Sequence, residues 1–187
     1  GPALFEEAAA LLGQQGLPSV VAERLQPWAA TLILSVPPAQ SGMFLDRQLY
    51  ELARNGGKRI VALETLGEQI ELFAGMQPSD QLALLRQAVG QFHRLPQRVE
   101  EMTAAYLARD LGLLEKLARN SMGDDPRLAQ TIGQRIVIDR NARMVERLLP
   151  LLREGSVFVA VGALHLPGPD GMLSLLREAG YGVSVAY

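Results

Sequence analysis

The stretch that decides the fold is Ser156-Val157-Phe158-Val159-Ala160-Val161-Gly162-Ala163-Leu164-His165-Leu166-Pro167-Gly168-Pro169. Its first six residues form a short apolar run with three valines, the composition of a strand buried on both faces. Gly162 then permits a sharp turn, and Pro167-Gly168-Pro169 stiffens a loop before the next periodic segment. That segment, Pro169 to Ala179, carries helical spacing and stops at Gly180. Tyr181 to Ala186 then alternates like a second strand. Strand, loop, helix and strand in that order predict a βαβ unit with parallel strands and a right-handed crossover.

Working backwards, Leu128 to Arg153 reads as one helix ending at Gly155, with Asp125-Pro126 as its start signal. Val99 to Arg119 reads as another long helix, with apolar residues at Val99, Met102, Tyr106, Leu113 and Leu117. Pro78 to Phe92 and Leu66 to Ala74 are helical, and Arg59 to Leu63 is a short apolar strand closed by Glu64-Thr65. Phe44 to Asn55 is a helix stopped by Asn55-Gly56-Gly57. Before it, Ala3 to Gln14 forms a helix, a second opens at Leu17-Pro18, and a third runs from Gln26-Pro27-Trp28 to Pro37-Pro38. The expected class is therefore α/β and helix-rich: a small parallel sheet with a C-terminal βαβ unit and several long helices. Three strands are few against so many helices, which need apolar surface to cover their own stripes. The N-terminal part of the fold is therefore expected to lie upstream of residue 3. Gly1-Pro2 reads as the scar of a removed tag, with residues 3–187 as a single domain.

Composition excludes several classes. The 187 residues are 48% apolar with a formal net charge of −2, which gives no electrostatic reason to bind nucleic acid. There is no cysteine, so disulfides, thiolate zinc sites and cysteine nucleophiles are ruled out. The apolar stretch from Trp28 to Val36, broken by Thr31 and Ser35, is far short of the ~20 residues of a membrane helix. No membrane span is expected.

Four residues carry candidate chemistry. His165 falls just past the C-terminal end of the predicted strand, the edge where open α/β sheets bind ligands. An imidazole there can hold a metal ion or move a proton near neutral pH, or merely cap a loop carbonyl. Glu64 follows another predicted strand and reads either as a ligand or general base, or as a carboxylate near a helix start. Arg140-Asn141 lies mid-helix between Ile136, Ile138 and Met144, either on a solvated face or turned inward to brace the His165 loop. His93, beside Arg94 and Pro96, reads as a surface residue. Asn55-Gly56-Gly57-Lys58 follows a helix and precedes a strand, the reverse of a phosphate loop. Two distant histidines do not make a multi-histidine metal site.

Val159-Ala160-Val161-Gly162-Ala163-Leu164-His165-Leu166-Pro167-Gly168, followed by Leu173 to Tyr181, resembles the C-terminal signature of the TraB/GumN family, which includes the Tiki proteins. Leu45-Asp46 through Ala53, Gly57-Lys58, Leu63-Glu64 with Gln69, and Arg140-Asn141 with Met144 resemble earlier family segments in the right order. The resemblance implies a metal-dependent hydrolase, and for the Tiki branch a metalloprotease. The family's proposed site combines two G-x-x-H motifs with an acidic residue. Gly162 and His165 match the second motif; the first motif and the acidic residue have no counterpart here.

The chain thus reads as the C-terminal portion of a bacterial member, inactive on its own. His165 would be a metal ligand for zinc, manganese or cobalt in the full-length protein. Glu64, Arg140 and Asn141 complete the candidate site, the latter two orienting the histidine loop. A peptide or small-molecule substrate follows, with self-association through uncovered apolar faces. A location in the cell envelope or periplasm follows if a signal peptide has been removed. The competing readings are a non-catalytic binding or regulatory module on the same fold, or a structural part of an envelope assembly.

Overall fold

The computed structural model describes residues 1–37 and 44–186. The Pro38 half of the expected Pro37-Pro38 helix stop, and Tyr187 at the end of the expected domain, lie outside the described residues. The chain divides into two compact units, Gly1–Gln40 with Leu66–Thr103, and Ser41–Thr65 with Ala104–Tyr187.

The first unit contains α1 (Pro2–Gln14), α2 (Ser19–Ala22), α3 (Pro27–Leu34), α5 (Leu66–Ala74) and α6 (Pro78–Gln91). Pro2, Pro27 and Pro78 each sit in a first turn, where the missing N–H costs nothing. Ala8, Leu11, Leu12, Ala22, Ala30, Leu34, Leu85 and Val89 form its core. The Pro27 segment is helical from Pro27 to Leu34. His93 is exposed in a short 3-10 turn, Phe92–Arg94.

The second unit carries α4 (Leu45–Asn55) ahead of the unit-one helix α5, and later α8 (Leu111–Asn120), α9 (Pro126–Gly133), α10 (Asp139–Glu154) and α11 (Met172–Glu178). Between the units in sequence runs α7 (Leu95–Leu107). The long helix expected over Val99 to Arg119 is therefore two helices. The break has a visible cause: Arg109 takes a positive φ of 58°, and Asp110 caps α8 by accepting from the Leu113 backbone N–H at 2.8 Å. Asp125 caps α9 in the same way through Leu128 N–H at 3.0 Å. A π-helical turn, Gln134–Ile138, joins α9 to α10. Gly57, with φ of 63°, supplies the left-handed residue after α4.

The expected sheet is not formed. Among the described residues there is no strand: Arg59 to Leu63, Ser156 to Val161 and Tyr181 to Ala186 form neither helix nor ladder, and Ser156 takes a left-handed φ of 56°. The α/β class and the βαβ unit are thereby corrected to an all-helical arrangement with irregular connections. The physical reason lies in what β propensity measures, which is the fit of a side chain to a half-buried surface rather than a ladder as such. Leu63, Val159 and Val161 are partly buried, but against Met144, Val145, Leu148 and Met172 on α10 and α11. Burial is also one-sided, since Phe158 is 79% exposed and Val157 38%. An apolar period of two survives, while the backbone pairing partner is a helix surface that has no hydrogen bonds to offer.

Helix α10 organises the second unit. Asn141, Met144, Val145 and Leu148 are buried at the i, i+3, i+4, i+7 spacing of one helical stripe. Beside that stripe, Arg140, Arg147 and Glu154 recur every seventh residue, two turns apart on one side of the helix. All three hold the segment 59–64. Arg59 pairs with Glu154 at 3.0 Å, Arg147 donates to the Leu63 carbonyl at 2.7 Å, and Arg140 grips Glu64. The segment therefore runs antiparallel to α10, strapped to it by side chains in place of a ladder.

Candidate functional site

All four residues singled out from the sequence meet within the second unit. Glu64 arrives on the strapped segment, Arg140 and Asn141 on the first turn of α10, and His165 on a 3-10 turn, Ala163–His165. The π-turn precedes Arg140 immediately, and its Ile136 carbonyl accepts from Arg140 Nη1 at 3.2 Å. A π-turn widens the helix and leaves carbonyls unused, which here gives the guanidinium an anchor on its own helix.

Arg140 and Glu64 form a two-pronged pair. Arg140 Nε donates to Glu64 Oε1 at 2.9 Å and Nη2 to Oε2 at 2.6 Å. The side chains are 17% and 5% exposed, so the pair is largely withdrawn from water. The hydrogen bond from Arg140 holds the Glu64 carboxyl below its ordinary pKa, against the opposing effect of burial. The charges of Arg140, His165 and Arg143 lower it further. Both Glu64 oxygens are therefore occupied and the group is anionic at neutral pH.

His165 is buried, and so is Asn141, which has no exposed surface. Asn141 Nδ2 donates to the Asp170 backbone carbonyl at 2.8 Å, and its Oδ1 lies 2.7 Å from His165 Nδ1. A carbonyl can only accept, so the amide nitrogen must face Asp170 and the amide oxygen must face the histidine. An amide oxygen can only accept as well, so His165 Nδ1 carries the proton. The tautomer follows: Nε2 keeps its lone pair and is the nitrogen free to bind an ion or take a proton. Burial, and then the charge of Arg140, push the His165 pKa below its ordinary value, while Glu64 pulls the other way. The ring is thus kept neutral, the state in which it can be a ligand.

The loop that carries His165 is fixed by local bonds. His165 N–H donates to the Gly162 carbonyl at 2.9 Å, and Ser174 Oγ donates to the Gly168 carbonyl at 2.8 Å. Gly171 is needed at its position, because a β-carbon there would collide with the carbonyls of Leu166 and Pro167. Gly168 sits at φ of 86°, where glycine is favoured. Helix α8 packs against the 3-10 turn.

The donor set does not amount to a metal centre. Among the described residues no group of three His, Cys, Asp or Glu side chains could hold an ion. A catalytic zinc normally takes three protein ligands, and here one imidazole is prepared while the neighbouring carboxylate is already taken by arginine. Sequence reasoning missed three participants. Arg147 and the Asp170 carbonyl act through contacts distant in sequence, which leave no local signal. Arg143 was overlooked although its spacing of three residues from Arg140 already puts it on the same helix side.

The model of the TraB/PrgY/gumN family matches residues 1–185 of the chain. The metalloprotease TIKI2 of Danio rerio is 30% identical over 190 residues, covering 86% of this chain and 37% of its own length. The chain thus spans little more than a third of that curated relative. No solved structure matches. No helix among the described residues is long and apolar enough to cross a membrane.

Proposed function

This chain belongs to the TraB/PrgY/gumN family, and from that premise we propose that it contributes one wall of a metal-dependent hydrolase or peptidase site. His165 is its metal ligand, through Nε2. Asn141 is a positioning residue that selects the tautomer, and Arg140 with Glu64 sets the charge beside it. The observation that carries this reading is the buried Asp170–Asn141–His165 relay, which leaves one imidazole nitrogen prepared as a ligand. The relative named a metalloprotease supports it. Since one ligand is too few, any further ligands come from outside the described residues, and the ion is zinc, manganese or cobalt. On this reading the chain has no hydrolytic activity by itself.

Calorimetric titration with zinc, manganese and cobalt tests the proposal, on this chain and on the complete gene product. The expected result is tight binding by the complete product that is lost in His165→Ala. Equal affinity with and without His165 would overturn it. The occupation of both Glu64 oxygens by Arg140 favours one competing reading, a binding module without chemistry. In that case His165→Ala leaves the biological effect intact.

A further inference from the structure

Of the three side chains of α10 that hold the segment 59–64, two hold it by its charged ends and one by its backbone. Glu154 takes the Arg59 guanidinium at 3.0 Å and Arg140 takes the Glu64 carboxylate, whereas Arg147 Nη1 donates to the Leu63 main-chain carbonyl at 2.7 Å. The three contacts are not equal. Arg59 and Glu154 are 65% and 58% exposed, and an ion pair in water contributes little and tolerates many geometries. Arg140 and Glu64 are withdrawn from water, and their side-by-side bonds require the carboxylate to arrive in one orientation. Something has to deliver it.

We propose that Arg147 is a positioning residue for the Glu64 carboxylate: its grip on the Leu63 carbonyl sets the register in which the segment enters the Arg140 fork. The inference rests on reading the Glu64–Arg140 pair as the charged flank of the His165 site. The physical link is the peptide plane. The Leu63 carbonyl shares one rigid plane with the Glu64 nitrogen and Cα, so a bond to that oxygen fixes where the Glu64 side chain begins. Leu63 adds to this by packing its side chain against Met144, Val145, Leu148 and Met172. Arg140 and Arg147 stand seven residues apart, about 10 Å along α10, yet take hold of consecutive residues of the segment. Their arms converge, which ties the register of the segment to the spacing of the helix. A slip of one residue brings Leu63 or Thr65 to Arg140, neither of them an anion, and leaves a largely buried guanidinium without its counter-charge. Arg147 itself is exposed, so its replacement leaves the core of the unit in place.

The test uses this chain, labelled so that arginine Nε–H resonances are resolved. The Arg140 Nε–H signal is the reporter, because that group donates to both Glu64 oxygens. Arg147→Met keeps an arm of similar bulk and removes the donors. It is expected to move the Arg140 signal toward the position of a solvated arginine, with the far-UV circular dichroism unchanged. Arg147→Lys, which can still donate to the carbonyl, should restore the signal in large part. Arg59→Gln, at the exposed end, should leave it in place. A double-mutant cycle with Glu64→Gln reads the same coupling as stability. If Arg147 acts through Glu64, its loss should cost about fivefold less in the unfolding equilibrium constant once the Glu64 carboxylate is gone. An Arg140 signal unmoved in Arg147→Met, an equal movement in Arg59→Gln, or additive effects in the cycle would each overturn the proposal. Metal titration of the complete gene product separates this role from the hydrolase reading. Binding through His165 that weakens in Arg147→Met supports both. A complete product that takes up no zinc, manganese or cobalt, with the Arg140 signal still displaced in Arg147→Met, removes the hydrolase reading and leaves the positioning of Glu64 standing.

Discussion

Replacing Asn141 by alanine tests the relay on which the histidine's state depends. The side chain is fully buried and makes two hydrogen bonds, to His165 Nδ1 at 2.7 Å and to the Asp170 carbonyl at 2.8 Å. Truncation leaves the imidazole N–H without a partner in a buried position, and a buried unsatisfied group costs about 1–3 kcal/mol. The Asp170 carbonyl lies on an exposed residue and can turn to water, so its share falls at the lower end. Together the loss should be roughly 3 kcal/mol, which for a chain of this length lowers the unfolding midpoint by about 6–12 °C. Far-UV circular dichroism on heating reads that shift. Long-range nitrogen–proton spectra of the histidine ring read the tautomer, which should change from pure Nδ1–H to a mixture. Asn141→Asp provides the complementary case, since a buried carboxylate beside the ring should raise the His165 pKa. An alanine variant as stable as the parent, with the Nδ1–H tautomer intact, would refute the argument.

Other consequences can be measured independently. Glu64→Gln leaves Arg140 largely buried without its counter-charge and should cost about 2–4 kcal/mol in urea unfolding, discounted from a fully buried pair because Arg140 keeps some exposure. The same change should lower the His165 pKa further, because the Glu64 charge is what raises it; an NMR titration of the ring decides this. Stability should also fall with acid in two stages. The folded His165 pKa lies below 6.5, so its contribution is complete above that pH and is lost as pH falls through the folded value. The folded Glu64 pKa lies below 4.5, so its contribution holds above that and disappears at lower pH. His165→Gln should flatten the upper stage and Glu64→Gln the lower, in urea midpoints measured against pH. Gly171→Ala should strain the loop through the Leu166 and Pro167 carbonyls and destabilise the chain, as seen in the same unfolding assay. Asp125→Ala should remove the α9 cap at a cost of about 1 kcal/mol, with little effect on the His165 ring signals.

Much of the helical content could be read from local chemistry. Proline at a first turn, aspartate as a cap and glycine after a helix act within a few residues, so Pro27, Pro78, Asp125 and Gly57 each marked a real boundary. The break at Arg109 escaped because a positive φ at a non-glycine residue has no signature in composition. The candidate residues are picked out on weaker grounds: His165 and Glu64 for following predicted strands that do not form, and Arg140-Asn141 for its place among apolar helix positions. Their mutual contacts are not legible. Arg140 and Glu64 are separated by 76 residues, and Asn141 and His165 by 24, and no local pattern encodes such pairings.

The sequence by itself determined most helix starts and stops, though not the break at Arg109, and which side chains could carry chemistry, because caps, turns and stripes are short-range effects. The tertiary structure decided the rest. Valine-rich runs require only a surface to cover them, and whether that surface is a neighbouring strand or a helix depends on what else packs there. In this chain α10 and α11 provide it for Val159 and Val161, so Ser156 to Val161 forms no sheet. Packing also decided that Glu64 is held by arginine and that Asn141 gives His165 its tautomer, since a hydrogen bond between distant residues exists only once the chain has brought them together.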